Sequence, residues 1–369
     1  MAVPFLALGL ADDTAAIEAA IRRVLASGWF VLGPEVEAFE REFATASGAP
    51  HAVAVNSGTD AIALILRTLD IAPGDEVITT PLTAAFTALA IGMVGARPVF
   101  ADVDLERGTL DPSAVDAVLT PKTRAILPVH LYGQAADMTP LADLAKGRGV
   151  ALVEDCAQAH LATAGGQPVG TIGVAGAFSF YPTKNLGALG DGGAIVTSDG
   201  ALAERVRRLR NGGQARRYEH VEMGVNSRLD EMQAAILRAR LPMLTGWTAR
   251  RRAIAARYRE ALAGSPAVPL PECDAGHVYH LFVVRATDRQ ALQAHLTHAG
   301  IGTLVHYPTP LHRQDAFRDA RHGECPQAER LCAEVLSLPL HPGMSDSDVD
   351  EVAAAVHAFD PHAATRRTR

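Results

Sequence analysis

The chain has 369 residues, of which 48% are hydrophobic and 20% are charged, the balance of a globular protein with a large core rather than of a disordered chain. The 34 Lys and Arg residues against 41 Asp and Glu residues give a formal net charge of −7, which argues against a nucleic-acid binder and gives no support for docking on an anionic membrane. At roughly 150 residues per domain, this length predicts two or three domains.

From about residue 50, short β-branched runs alternate with helical patterns. The predicted strands span 51–55, 76–79, 98–103, 124–129 and 150–153. The predicted helices between them span 59–69, 84–94, 112–119 and 140–146. Alternation at this length predicts crossover connections and a mostly parallel sheet that is covered by helices on both faces.

After residue 155 this rhythm changes. Two strands are predicted at 177–181 and 193–197, followed by helices at 201–210, 229–241 and 247–262. A segment rich in Pro and Gly at 264–276 then leads into strands at 278–284 and 302–306 and helices at 289–299, 325–334 and 346–359. We therefore predict a large α/β domain over 1–245, with an N-terminal arm, and a smaller α+β domain over 246–369 that is entered by a long helix.

Cysteine usage and the N-terminus predict a cytoplasmic protein. The four cysteines form no CxxC pair, and no Cys/His cluster has the spacing of a zinc site, so we expect reduced thiols and no metal. Residues 1–10 are apolar but lack the basic region of a secretory signal. The uncharged run 77–96 has the length of a membrane span, but it contains Pro81 and follows a Pro-Gly-Asp turn. It is interpreted as a buried strand leading into a buried helix.

Candidate binding residues follow two of the predicted strands, because open parallel sheets bind ligands at the carboxyl ends of their strands. Asn56-Ser57-Gly58-Thr59 opens a helix after the strand 51–55, and small residues at a helix N-terminus suit a phosphate. The same pattern is often only a helix cap. Asp155 follows the strand 150–153, where an acid in a ligand site and an N-cap are equally good interpretations.

Lys184 is a more specific indication of a functional site than the residues at the two strand ends. It lies in Phe178-Ser179-Phe180-Tyr181-Pro182-Thr183-Lys184-Asn185 and is the only cation between Arg148 and Arg205. Such a lysine either extends its charge to the surface or needs an amine in a site of low dielectric constant. Loss of hydration lowers the pKa of an amine and makes it nucleophilic, as Schiff-base chemistry requires.

The phosphate cradle, the acid and the isolated lysine together match the needs of pyridoxal 5′-phosphate. The lysine would form the Schiff base, the acid would keep the pyridine nitrogen protonated, and the helix N-terminus would hold the phosphate. Other cofactors fit less well, because no G-x-G-x-x-G follows a strand and no phosphate-binding G-x-x-x-x-G-K-[ST] occurs. His280, His306 and His312 lie too far apart in sequence to argue for a metal site.

The chain resembles the DegT/DnrJ/EryC1/StrS family of pyridoxal phosphate-dependent sugar aminotransferases. The resemblance covers nearly the whole chain and rests on motifs in their usual order: 28–34 (GWFVLGP), 56–61 (NSGTDA), 74–78 (GDEVI), 128–134 (PVHLYGQ), 154–160 (EDCAQAH), 178–193, 226–235 (NSRLDEMQAA) and 306–308 (HYP). It implies the type I fold of aspartate aminotransferase, with a large mostly parallel α/β/α domain and a smaller C-terminal α+β domain.

The resemblance also implies roles for individual residues. Lys184 would be the Schiff-base lysine and proton shuttle, Asp155 would hold the pyridine nitrogen, and Gln158 would contact the hydroxyl side of the ring. Gly58, Thr59 and Ser179 would bind the phosphate. Asn226 would reach the phosphate of the neighbouring subunit, which implies a homodimer with shared active sites. The candidates for the sugar-nucleotide side, each equally open to a purely structural role, are Tyr181, Arg217, His306 and Tyr307.

One position departs from the family pattern. Relatives commonly carry an aromatic residue directly after the threonine that matches Thr83, and this aromatic stacks on the cofactor ring. Here that position is Ala84, and Phe86 follows two residues later. Either Phe86 stacks on the ring after a local shift, or the face of the ring is less covered.

The run 180–193 is most similar to the branch that acts on 3-keto dTDP-hexoses. The resemblance thus implies transfer of an amino group from glutamate or glutamine to a nucleotide-linked keto sugar. Three alternatives share the scaffold: a cyclitol aminotransferase, a sugar dehydratase and a regulatory protein that binds the cofactor without turnover. Relatives that act as dehydratases replace the lysine with histidine, so Lys184 favours transamination.

Overall fold

The structure, a computed structural model, describes residues 3–7 and 13–360. Its strands are β1 His51–Val55, β2 Glu76–Thr79, β3 Arg97–Phe100, β4 Thr123–Ile126, β5 Ala151–Asp155, β6 Thr163–Ala164, β7 Gln167–Pro168, β8 Ala175–Ser179, β9 Gly193–Thr197, β10 Gln214–Arg216, β11 Glu219–His220, β12 Val268–Pro269, β13 Phe282–Arg285, β14 Arg321–His322 and β15 Val335–Leu338. Its α-helices are α1 Thr14–Ser27, α2 Pro34–Ala46, α3 Gly58–Thr68, α4 Phe86–Met93, α5 Pro112–Val118, α6 Met138–Arg148, α7 Gly200–Leu209, α8 Glu231–Arg240, α9 Leu244–Ala261, α10 Arg289–His298, α11 Pro326–Glu334 and α12 Asp346–His357.

Eight strands form the central sheet, in the order β1-β9-β8-β5-β4-β2-β3-β14. The six strands from β8 to β14 in this order are parallel to one another, and β9 pairs antiparallel with both β1 and β8. The predicted mostly parallel α/β sheet is therefore confirmed. Its strands are buried nearly throughout, because helices pack against both faces.

The first two helices, α1 and α2, were not predicted. Helix α1 buries Ile17, Ala20 and Val24, which lie on one helical face, and Ala20 and Val24 pack with Ala235 of α8. The N-terminus of α2 is capped from a distance: the carboxylate of Glu231 accepts hydrogen bonds from the N–H groups of Gly33, Glu35 and Val36. A cap that comes from a residue so far along the chain leaves no local sequence signal.

A second sheet of three antiparallel strands, in the order β12-β13-β15, follows the long helix α9. The core beside it takes side chains from α9, α10 and α12. Strand β14 also comes from the later part of the chain, yet it pairs with β3 of the large sheet. The division of the chain at residue 245 stays a prediction.

Two predictions in this region were wrong. The run 302–306 is not a strand, because only Leu304 pairs there, in an isolated bridge with Ser337. Strand β15 was missed because it begins directly after the predicted helix 325–334, with no turn signal between the two. The run 77–96 forms β2 and α4 with a buried connection. Within residues 3–7 and 13–360, no helix has the length and apolarity to cross a membrane.

Candidate active site

Three strand ends meet at one edge of the large sheet. Strand β1 ends one residue before Asn56, β5 ends at Asp155, and β8 ends at Ser179. Strands β5 and β8 are parallel neighbours with Asp155 opposite Ala177, and β9 lies between β8 and β1. The candidate residues after these strands are therefore brought together, as ligand sites of open α/β sheets require.

The N-terminus of α3 forms a tight cradle. Ser57 Oγ accepts a hydrogen bond from the N–H of Asp60 at 3.1 Å and caps the helix. A Cβ atom on Gly58 would lie 2.7 Å from Cβ of Ser179, so a larger residue does not fit without a shift. The first N–H groups of a helix have no partner within it, and Gly58, the first residue of α3, lies against Ser179.

Asp155 is buried and held by two hydrogen bonds. Its Oδ1 accepts from the N–H of Ala157 at 3.0 Å, and its Oδ2 accepts from the hydroxyl of Thr87 at 2.8 Å. Because each carboxylate oxygen has its own donor, the Asp155 side chain is held in one orientation.

Lys184 keeps some solvent exposure, as a lysine that meets a substrate must. Burial nevertheless lowers the pKa of its amine to about 8, although the negative charge of Asp155 raises it. A minor neutral fraction is thus present at neutral pH, far more than for an ordinary lysine, and a neutral amine is both a nucleophile and a proton acceptor.

A hydrogen-bond network fixes Gln158 beside these residues. Gln158 Oε1 accepts from the N–H of Tyr132 at 2.7 Å, and its Nε2 donates to the Tyr307 hydroxyl at 3.1 Å. Burial raises the pKa of Tyr307 to about 12, so this hydroxyl is neutral. The Tyr132 hydroxyl donates to the carbonyl of His306, which joins the segment 306–307 to the large sheet.

Histidine side chains surround the lysine. Burial and the charge of Lys184 lower the pKa of His306 to about 4 and that of His160 to about 3. Burial and the same charge also lower the pKa of His280, whose Nδ1 donates to Asn185 Oδ1 at 3.1 Å. These rings are neutral at neutral pH, so the lysine amine is the titrating base of the cluster.

The family model described as the DegT/DnrJ/EryC1/StrS aminotransferase family matches residues 11–357. The chain belongs to this family. It is 50% identical over 364 residues to the erythromycin biosynthesis sensory transduction protein EryC1 of Saccharopolyspora erythraea. This match covers 97% of this chain and 100% of that protein. It is 49% identical over 363 residues to the dTDP-3-amino-3,4,6-trideoxy-alpha-D-glucose transaminase of Streptomyces venezuelae. This match covers 97% of this chain and 96% of that protein.

A solved structure agrees with this assignment. The crystal structure of S. venezuelae DesV in complex with a ketimine intermediate matches with a TM-score of 0.93 at 49% identity and covers 96% of this chain and 98% of that one. The predicted fold of the aminotransferase family is therefore confirmed, and the chain is an aminotransferase.

Within one chain, the predicted site residues fall into two groups. The structure brings together Asp155, Gln158, Ser179, Lys184 and Gly58 with Thr59, His306 and Tyr307. The other group is exposed in the single chain: Phe86 is 63% exposed and Tyr181 51% exposed, Arg217 stacks on Tyr218 in the β10–β11 hairpin, and Asn226 is exposed.

Phe86 lines an open cavity together with Ser57 and Thr59, a cavity whose lining includes neither Lys184 nor Asp155. The next residue, Thr87, is the one that reaches Asp155. The aromatic at this position therefore lies at the side of the phosphate cradle, while stacking by Phe86 stays a prediction.

Thr87 and the neighbours of Lys184 were missed in sequence. Thr87 lies inside a predicted helix, and a hydroxyl there gives no local sign of its partner. His306 was a candidate only for the sugar-nucleotide side, and His280 was considered only as a metal ligand and rejected. The fold brings both to Lys184, whereas His312 bonds to Glu329 elsewhere. The motif 128–134, which contains Tyr132, was a signal for the Gln158 network.

Among the described residues, one cluster has the composition of a metal site, namely His130, Glu154 and Cys156. Its groups are already occupied: His130 Nδ1 accepts from the N–H of Ala136, and its Nε2 donates to Glu154 at 3.0 Å. Glu154 also accepts from three N–H groups, those of Gly170, Ile172 and Gly173. The cluster is a buried structural network beneath the active-site edge.

Proposed function

We propose that this aminotransferase uses pyridoxal 5′-phosphate and transfers an amino group from glutamate or glutamine to the 3-keto group of a dTDP-linked 6-deoxyhexose. The observation that carries the cofactor is the pairing of Lys184, with a pKa of about 8, and Asp155, a charge fixed by two hydrogen bonds. The cradle of Gly58, Thr59 and Ser179 lies at the same edge.

The residues present fit this cofactor. The N–H groups of Gly58 and Thr59 suit a phosphate, the carboxylate of Asp155 suits a protonated ring nitrogen, and Gln158 can face the hydroxyl side of the ring. When bound, pyridoxal phosphate supplies the electron sink through which an amino group passes between two substrates.

The chain supplies the proton transfers. As a neutral amine, Lys184 Nζ can accept the proton from the α-carbon of the amino donor. In the second half of the reaction it can return a proton to the carbon of the sugar that receives the amino group. The surrounding histidines have lowered pKa values and do not compete with it for that proton. His306 and Tyr307 lie in a loop beside the three-stranded sheet, where His306 hydrogen-bonds to Ser337 of β15, and from there they can orient the sugar.

The substrate class rests on the S. venezuelae relative, whose name specifies a dTDP-3-amino sugar. The first test is the visible spectrum of the purified protein before and after L-glutamate is added. We expect the absorbance band of a lysine-bound pyridoxal phosphate to bleach, and K184A to lack that band while it keeps its fold. Failure to take up the cofactor contradicts the proposal.

A panel of keto substrates tests the sugar. We expect turnover with dTDP-3-keto-6-deoxyhexoses and much slower turnover with 4-keto isomers and with scyllo-inosose. Preference for the cyclitol, or loss of water instead of amination, would assign the chain to one of the two alternative enzymes on this scaffold. Uptake of cofactor without bleaching by any donor would favour the regulatory protein.

We also propose a homodimer in which Asn226 completes the partner's site. The inactive variants K184A and N226A, mixed and allowed to exchange subunits, test it. Each mixed dimer would hold one intact site, so activity should return to a fraction of the wild-type level. No recovery in dimers that demonstrably exchange subunits contradicts shared sites.

A further inference from the structure

Thr87 makes a direct contact with the candidate catalytic acid. Its side chain is 2% exposed, and its Oγ1 lies 2.8 Å from Asp155 Oδ2. An ionised carboxylate can only accept, so the Thr87 hydroxyl is the donor. A second buried hydroxyl, that of Thr83, lies 3.4 Å from Thr87 Oγ1 and is then the donor to Thr87.

This contact is not a by-product of helix formation. A threonine hydroxyl in a helix commonly bonds back to a carbonyl one turn earlier, but that of Thr87 reaches across from α4 to the end of β5. The other hydrogen bond to the Asp155 carboxylate in the described chain comes from the backbone N–H of Ala157. Thr87 is therefore the side chain that sets the orientation of Oδ2.

We propose that Thr87 is a positioning residue that holds the Asp155 carboxylate aimed at the cofactor's ring nitrogen. This inference rests on the proposed function. Its physical basis is that two fixed donors, one on each oxygen, leave the carboxylate little freedom to rotate. The titratable groups that feel the charge of Asp155 are Lys184, Tyr307 and Cys156.

The test compares T87V, which removes the hydroxyl at nearly constant shape, with T87S, which keeps it. T79V is the matched control, because Thr79 is equally buried and its hydroxyl donates to a backbone carbonyl, that of Leu127. Three quantities are measured: the Kd of the apoenzyme for pyridoxal 5′-phosphate, kcat, and KM for the sugar.

For T87V we expect a Kd about tenfold weaker, since one charge-assisted hydrogen bond is lost. We also expect kcat to fall severalfold, because the carboxylate is no longer held in one orientation toward the ring nitrogen, while KM for the sugar stays within twofold. T87S should restore Kd and kcat, and T79V should change neither.

Wild-type values in a folded T87V, or a T87S that fails as badly as T87V, overturn the inference, since the methyl group and not the hydroxyl would then matter. If T87V does not fold, the comparison of T87S with T79V still tests the role of the Thr87 hydroxyl, because a loss of cofactor affinity in T87S alone overturns the inference. A wild-type protein that takes up no cofactor contradicts the proposed function as well, whereas normal cofactor uptake with an unaltered T87V contradicts only the role of Thr87.

Discussion

Lys184 and Asp155 act on each other through their charges: burial lowers the pKa of the Lys184 amine, the carboxylate of Asp155 raises it, and the result is a pKa of about 8. Without that carboxylate the amine would lose its proton at a lower pH. The pair therefore sets the pH range in which the Lys184 amine can act both as a nucleophile and as a proton carrier. Its effect on the lysine pKa can be measured in the apoenzyme.

Replacing Lys184 with Met should stabilise the apoenzyme near neutral pH. The pKa of the lysine is lowered from 10.5 to about 8 in the folded protein, so between these values the unfolded chain binds more protons and the free energy of unfolding of the wild type rises with pH. The free energy of unfolding of K184M should exceed that of the wild type by about 1–2 kcal/mol below pH ~8. This difference should become smaller as the pH rises above ~8.

Urea unfolding of both apoenzymes at several pH values measures this gap. K146M, at an exposed lysine in the last turn of α6, is the control and should show no such pH dependence. A K184M apoenzyme that is less stable than the wild type at neutral pH would contradict the cost assigned to the buried amine.

Asp155→Asn should shift the pKa of Lys184 below about 8, because the charge that raises it is gone. Competitive labelling of the apoenzyme with acetic anhydride, read by mass spectrometry, gives that pKa. Turnover should fall by about 10²-fold or more, since a neutral amide cannot hold a ring nitrogen protonated. D143N, at an exposed acid, is the control, and an unchanged lysine pKa in D155N would remove Asp155 from the pair.

Glu154→Gln should destabilise the whole fold. The carboxylate accepts from three backbone N–H groups and from His130, and the amide that replaces it turns a donor toward one of those donors. We expect a loss of about 3 kcal/mol in the free energy of unfolding, measured with urea. E37Q, at an exposed glutamate, should change it by less than about 0.5 kcal/mol, and an equally small effect of E154Q would count against the network.

Tyr307→Phe should lower kcat by about tenfold while the fold survives, because Gln158 Nε2 loses the hydroxyl that fixes it. The shape of the pH profile should not change below pH ~10, since the pKa of Tyr307 is raised to about 12 and its hydroxyl is neutral throughout. Y258F is the matched control, because it also loses one buried hydrogen bond, to the carbonyl of Pro339, but should affect stability alone. A similar loss of kcat in Y258F would mean that the effect is not local.

Local patterns predicted the central sheet well. The bounds of β1, β2 and β9 agree with prediction to the residue, because β-branched runs between turn residues leave little freedom in where a buried strand begins. The N-terminal helices escaped prediction, since α1 has no side-chain cap at its start and α2 takes its cap from Glu231. Where the stabilising partner is distant, the local sequence carries no trace of it.

The sequence by itself determined the type of sheet, the acid at the end of β5 and the isolated lysine, because strand periodicity, the carboxyl-end rule and the absence of nearby cations are all properties of neighbouring residues. Only the tertiary structure decided which side chains act on them. Thr87 at Asp155, Tyr307 at Gln158 and the histidines around Lys184 come from segments far apart in the chain, and burial among them is what lowers the lysine pKa to about 8.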